Sequence, residues 1–198
     1  MTEIVDKVKS FVEEECKKPS AKYPTAFKFH FISMVNLSNQ LAREMNNKQE
    51  VDFEIVELAA WLHDIGSIIY GRKNHHITST KVAEKKLREL NYPEEKINRV
   101  KLCILNHRGS REQENKRDSI EEKIIAEADA MDAFNNLTKQ FLVTLVHEGL
   151  ELNEARKSVK EKLQRKWNQL ELKESKKLIK PKYDAAMLLL GDENENRN

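Results

Sequence analysis

The chain reads as an all-α protein, a helical bundle of roughly seven or eight short helices. Three observations lead there. Only 5 Gly and 4 Pro occur in 198 residues, so chain-breaking residues are scarce. Charged residues make up 34% and hydrophobic ones 39%, with many Glu, Lys, Leu and Ala, the residues that favour helices over strands. No stretch alternates apolar and polar residues as a strand would, and no internal repeat is visible.

The breakers divide the chain. Pro19 and Pro24 separate a first helix, about 2–18, from a second that starts near Thr25 and carries Phe27, Phe31, Met34 and Leu41 at helical spacing. Asp52 is placed to cap a third helix that ends near Gly66. After the polar Gly71-Arg72-Lys73-Asn74, a fourth helix runs from about His76 to Leu90, with Val82, Ala83 and Leu87 inward. Pro93 sits near the first position of a fifth, which carries Ile97, Val100, Ile104 and Leu105 and ends at His107-Arg108-Gly109. Ser110 to Asp118 is loop-like. Ser119 and Glu122 form a capping box for a sixth helix through Ile124, Ile125, Ala128, Met131, Phe134 and Leu137, which ends, itself or in a continuation, at Gly149. Two charged helices, about 151–168 and 171–190, precede a polar tail, 191–198, expected to be disordered. Residues 1–190 are taken as a single domain, with a motif-bearing core at about 25–140 and C-terminal helices at about 151–190.

Composition narrows the function. Lys+Arg of 35 against Asp+Glu of 33 leaves a formal charge of +2, so no one-sided basic field for nucleic acid is expected. Cys16 and Cys103 stand far apart, which suits a reduced interior better than a disulfide framework. The acidic start lacks the pattern of a signal peptide, and no apolar run approaches the roughly 20 residues of a membrane span. A soluble, cytoplasmic protein is expected, with no membrane or nucleic-acid partner.

The chemistry concentrates in His63-Asp64, set in Ala59-Ala60-Trp61-Leu62-His63-Asp64-Ile65-Gly66. An ionisable pair in an apolar setting needs compensation, and a metal ion is the simplest one. Adjacent helical residues point about 100° apart, so further ligands must come from other helices. His30 lies between Phe29 and Phe31, and Asp129 lies in Ala126-Glu127-Ala128-Asp129-Ala130-Met131-Asp132. Asp129 fits better than Asp132. Nitrogen and carboxylate ligands without thiolate suit Mn, Fe, Ni, Co, Mg or Zn.

An early His, then His-Asp some 30 residues on, then Asp in an Ala-Asp-Ala-Met-Asp setting resembles the HD superfamily of metal-dependent phosphohydrolases, over about residues 25–140. The resemblance implies His30, His63, Asp64 and Asp129 as metal ligands. It places His75 or His76, with His107, at a second metal or a substrate phosphate. Arg72, Lys73, Arg108 and Arg111 are candidates for phosphate oxygens. The chain departs from the cyclic-dinucleotide phosphodiesterases, which carry paired histidines and a Gly-Tyr-Pro segment where this one has His107-Arg108. It departs from alarmone hydrolases too, since Ile65-Gly66-Ser67-Ile68 supplies no acid after His-Asp. The implied type is the small stand-alone bacterial or archaeal hydrolase. It would cleave a phosphate ester or anhydride of a nucleotide or related small molecule, with a water activated by a divalent metal and oriented by Asp64. The other class is a catalytically silent nucleotide-binding or regulatory module, which a missing ligand would have favoured. A homo-oligomer is left open. Trp61 and Trp167 are expected in packing, and His147 on a surface.

Overall fold

The computed structural model describes residues 2–108 and 117–191, and among them no strand occurs. The expected 110–118 loop falls mostly outside these residues, as do Arg111, the tail beyond Gly191 and the side chain of His147. The chain divides into two compact units, residues 1–129 and 130–198.

The first unit holds α1 (Glu3–Lys17), a π-helical turn (Phe27–Phe31) running into α2 (Ile32–Asn46), α3 (Phe53–Leu62), α4 (Ile65–Tyr70), α5 (His75–Glu89), α6 (Glu94–Asn106) and the start of α7 (Ile120–Asn135). Its centre is α3. Ile55, Val56, Leu58, Ala59, Ala60, Trp61 and Leu62 are all buried, which is what an apolar helix without a polar face must do. It packs on α1, α2 and α6. Asp52 caps it as expected, accepting from the Ile55 N–H at 3.3 Å, an interaction worth about 1 kcal/mol. Arg99 in the middle of α6 joins Asp52 (2.9 Å) and Glu121 of α7 (3.3 Å), tying the starts of α3 and α7 together. The capping box at α7 also forms: Glu122 N–H donates to Ser119 Oγ, and Ser119 N–H to Glu122 Oε1, each at 3.2 Å.

The helix expected to run on to Gly66 instead stops at Leu62, turns at His63-Asp64 and restarts as α4. The chain there serves the side chains of that pair rather than helical continuity. Of the apolar residues that α6 carries, Ile97, Val100 and Ile104 are buried and Leu105 is 39% exposed.

The second unit contains the end of α7, then α8 (Leu137–Leu142), a π-helical turn (Val143–His147), α9 (Leu152–Asn168) and α10 (Lys173–Leu190). Asn136 caps α8 through Lys139 N–H at 3.1 Å, so the sixth expected helix ends at Asn135, short of Leu137, and its continuation through α8 and the π-helical turn ends at His147, just before Gly149. Ala155, Val159 and Leu163 of α9 and Ile179, Ala186 and Leu190 of α10 are buried. Trp167 stacks on Tyr183 at 4.3 Å, in packing as expected. Trp61 does the same against Phe27 in the first unit. Among the described residues no helix is long and apolar enough to cross a membrane.

Candidate metal centre

The histidines converge because each stands at a helix boundary, where backbone carbonyls lack intrahelical partners. His63 follows the last residue of α3 and its Nδ1 bonds the Ala60 carbonyl at 2.8 Å. His107 follows the last residue of α6 and bonds the Ile104 carbonyl at 2.5 Å. His75 opens α5 and bonds the Arg72 carbonyl at 2.9 Å. A carbonyl only accepts, so in all three rings Nδ1 carries the proton. In the neutral ring Nε2 is then left with a bare lone pair, the state a metal ligand needs. His30 arrives differently, from the π-helical turn Phe27–Phe31. Such turns are rare and recur at functional sites.

The rings face one another. His30 Nε2 and His63 Nε2 are 2.9 Å apart. His63 and His107 have ring centroids 5.2 Å apart, and His75 and His107 5.4 Å. Asp64 divides its two oxygens between them. Its Oδ2 lies 3.5 Å from His30 Nε2, and its Oδ1 lies 3.1 Å from His75 Nε2 and 3.8 Å from His107 Nε2. Two groups of ligand atoms result, His30–His63–Asp64 and Asp64–His75–His107, each with its atoms within 4.8 Å of one another. Asp64 belongs to both.

Electrostatics point the same way. Burial lowers the His63 pKa, against the carboxylates of Asp64 and Asp129, which raise it. Burial likewise drives His107 down to about 4, with His63 adding to the fall and Asp64 and Asp129 opposing it. Both rings are therefore neutral near pH 7. Burial works against ionisation of Asp64, yet the imidazoles of His63, His30 and His75 outweigh it and hold the carboxyl well below its usual range. With His63 and His107 neutral and their Nε2 lone pairs unprotonated, the buried carboxylate is short of positive charge.

The buried Asp64 Oδ1 makes this concrete, because it has no hydrogen-bond donor. Its neighbour at 3.1 Å, His75 Nε2, is a lone pair when Nδ1 holds the proton. A cation resolves that conflict. Two ligand atoms each 2.0–2.1 Å from one ion lie about 3.0–3.4 Å apart, close to the 2.9 Å and 3.1 Å found here. The donor set fits a divalent metal.

The remaining candidates take distinct places. Asp129, on α7, is partly exposed and acts on His63 and His107 through its charge. His76 lies at the edge of the cluster, its ring centroid 6.0 Å from that of His75 and its Nδ1 3.5 Å from Arg108 Nη1. Burial lowers its pKa first and Arg108 second. The side chains of Arg72, Lys73 and Arg108 are exposed, and Arg72 reaches the cluster through its carbonyl.

Sequence reasoning missed the residues that hold the His107 segment. Asn106 donates to Glu122 Oε2 at 2.6 Å, and Arg117 Nε donates to the Asn106 carbonyl at 3.1 Å. Only the capping-box position of Glu122 gave a signal. Its second role depends on a helix 16 residues earlier.

Known proteins agree with this frame. No curated protein matches the chain. Among solved structures, the Lin1889 protein of Listeria innocua superposes with a TM-score of 0.70 at 20% identity, covering 100% of both chains. An HD-superfamily hydrolase of Bacillus thuringiensis superposes with a TM-score of 0.67 at 17% identity, covering 94% of this chain and 92% of its own. These likenesses concern the fold. The family model for the HD domain matches residues 29–133, more than half of the chain and the span from the π-helical turn of His30 to just past Asp129. With His30, His63-Asp64 and Asp129 all inside that span, the chain belongs to the HD domain family.

Proposed function

We propose that the protein is a metal-dependent phosphohydrolase that cleaves a phosphate ester or anhydride of a nucleotide or related small molecule. The observation that carries this reading is Asp64, whose buried Oδ1 has no donor and whose carboxylate is shared by two histidine groups. His30, His63, Asp64 and Asp129 would hold one divalent ion. His75 and His107, with Asp64, would hold a second ion or the substrate phosphate. When bound, the metal supplies Lewis-acid chemistry, acidifying water and neutralising charge on a phosphoryl oxygen.

The chain's own residues do the rest. Asp64, the acid common to both groups, accepts a hydrogen bond from the attacking water and orients it. The Nδ1–H bonds to Ala60, Arg72 and Ile104 keep three rings aimed with little motion, so less reorganisation is needed at reaction. His76 and Arg108, at the edge, would meet phosphate oxygens, and Arg72 and Lys73 add cations at the turn before α5.

The test is a phosphate-release screen of the metal-stripped protein over nucleotides, with Mn, Ni, Co or Mg added back. Metal-dependent release that disappears in Asp64→Ala is expected. Full release by metal-stripped Asp64→Ala would overturn the mechanism. Nucleotide binding without turnover under every metal would favour a regulatory module.

A further inference from the structure

We infer that Ser79 is a positioning residue that frees Asp64 for the metal centre by capping α4 in its place. Asp64 occupies the N-cap of α4. An Asp there ordinarily accepts the N–H of the second or third helical residue. Its side chain makes no such bond here, because both carboxylate oxygens face histidines. The orphan donor this leaves, Gly66 N–H, is taken by Ser79 Oγ at 2.9 Å, from the neighbouring helix α5. Ser79 is fully buried.

Gly66 is what allows the serine to reach. A Cβ on Gly66 would meet Thr78 Oγ1, and would stand 2.5 Å from Ser79 N and 2.9 Å from the His75 carbonyl oxygen. Two of those three atoms are backbone and cannot step aside. The start of α4 therefore lies directly on the first turn of α5, the turn that carries His75. The same contact thus does two things. It caps α4 without using Asp64, and it holds His75 beside that carboxylate, 3.1 Å from Nε2 to Oδ1.

Removing the hydroxyl strands the Gly66 N–H. The nearest alternative cap is the Asp64 carboxylate, the usual acceptor for its own helix. Ser79→Ala should therefore turn Asp64 away from the histidines, weakening the centre without touching any of its ligands.

Two measurements test this, and the first alone rests on the metal reading. Calorimetric titration of the metal-free protein with Mn²⁺ should show roughly a 10–100-fold weaker affinity in Ser79→Ala, the range for lost supporting hydrogen bonds at metal sites. Circular dichroism should show both proteins fully helical. Unchanged affinity in the folded variant would overturn the inference. If the wild type takes up no Mn²⁺, the metal reading fails and the second measurement decides. Amide exchange of Gly66 in metal-free protein should stay protected in Ser79→Ala, with Asp64 as the new cap, and lose protection in Asp64→Ala/Ser79→Ala. Loss of protection in Ser79→Ala equal to that in the double variant would show that Asp64 does not take over, and would sink the idea.

Discussion

The two ligand groups that share Asp64 are built differently. His30, His63 and Asp64 come from a π-helical turn and from the end of α3, the most buried helix of the first unit. His75 and His107 come from the start of α5 and the end of α6, beside exposed Arg72, Lys73 and Arg108. One half is rooted in the core. The other opens towards cationic surface. A core-rooted half suits permanent retention of an ion, and a half beside exposed cations suits the arrival of an anion. Asp64 is where the two meet, with Oδ2 towards His30 and Oδ1 towards His75 and His107.

Removing the shared residue should have the largest effect. Asp64→Ala takes a ligand from both groups, so its loss should exceed the roughly 10–100-fold typical of supporting partners. A fall of about 10³-fold or more in metal-dependent phosphate release is expected, with bound metal lost by elemental analysis. Retention of both would dissolve the idea that one carboxylate serves two groups.

Next come the two halves separately. His30→Ala should cost about 10²-fold or more in release and lose metal. His75→Ala should cost about 10–100-fold while leaving an ion on the core-rooted half. Metal content measured alongside the kinetics decides. Equal metal loss in the two variants would erase the distinction between the halves.

Which parts of this were readable from sequence follows the same division. His63-Asp64 stood out because an ionisable pair after Ala-Ala-Trp-Leu needs compensation, and the caps at Asp52 and Ser119 announced themselves locally. The stop of α3 at Leu62 did not, because only the convergence of distant rings makes a turn there worthwhile. Nor did the π-helical turn at His30, which changes the register of an otherwise regular apolar pattern. Ser79 was invisible for the same reason. Its value lies in an N–H 13 residues earlier, on a helix the sequence did not separate from α3. Asp129 fell in between: its setting marked it, and its charge acts on both His63 and His107.

A pH experiment probes burial rather than ligation. In the folded, metal-free protein His107 is driven down to about 4, whereas in the unfolded chain a histidine titrates near 6.5. Between those values only the unfolded chain takes up the proton, so stability is complete above about pH 6.5 and declines as pH falls towards 4. His63, also lowered, adds in the same direction. From pH 7 to pH 5 His107 alone should cost about 2 kcal/mol. Urea unfolding of wild type and His107→Gln at both values measures it. A wild type that loses no more than His107→Gln would mean the ring is not neutral and buried, and that Nε2 does not carry the bare lone pair a metal ligand needs.

The smallest expected effect belongs to the open half's rim. Arg108 is exposed, and its guanidinium stands 3.5 Å from His76 Nδ1. Burial and then Arg108 lower the pKa of His76, and two cation-capable groups this close suit an anion placed beside them. Water screens such a contact, so its loss should be modest. Arg108→Ala should raise KM by about 3–10-fold with kcat nearly unchanged, the pattern of a group that binds substrate and transition state alike. Higher salt should shrink the difference. Arg108→Lys should recover only part, since an ammonium keeps the charge and loses the planar two-point grip on phosphate. A fall in kcat with KM intact would move Arg108 from the rim into the reacting centre. The open half would then be a second seat of chemistry, and the contrast between the halves would have to be redrawn.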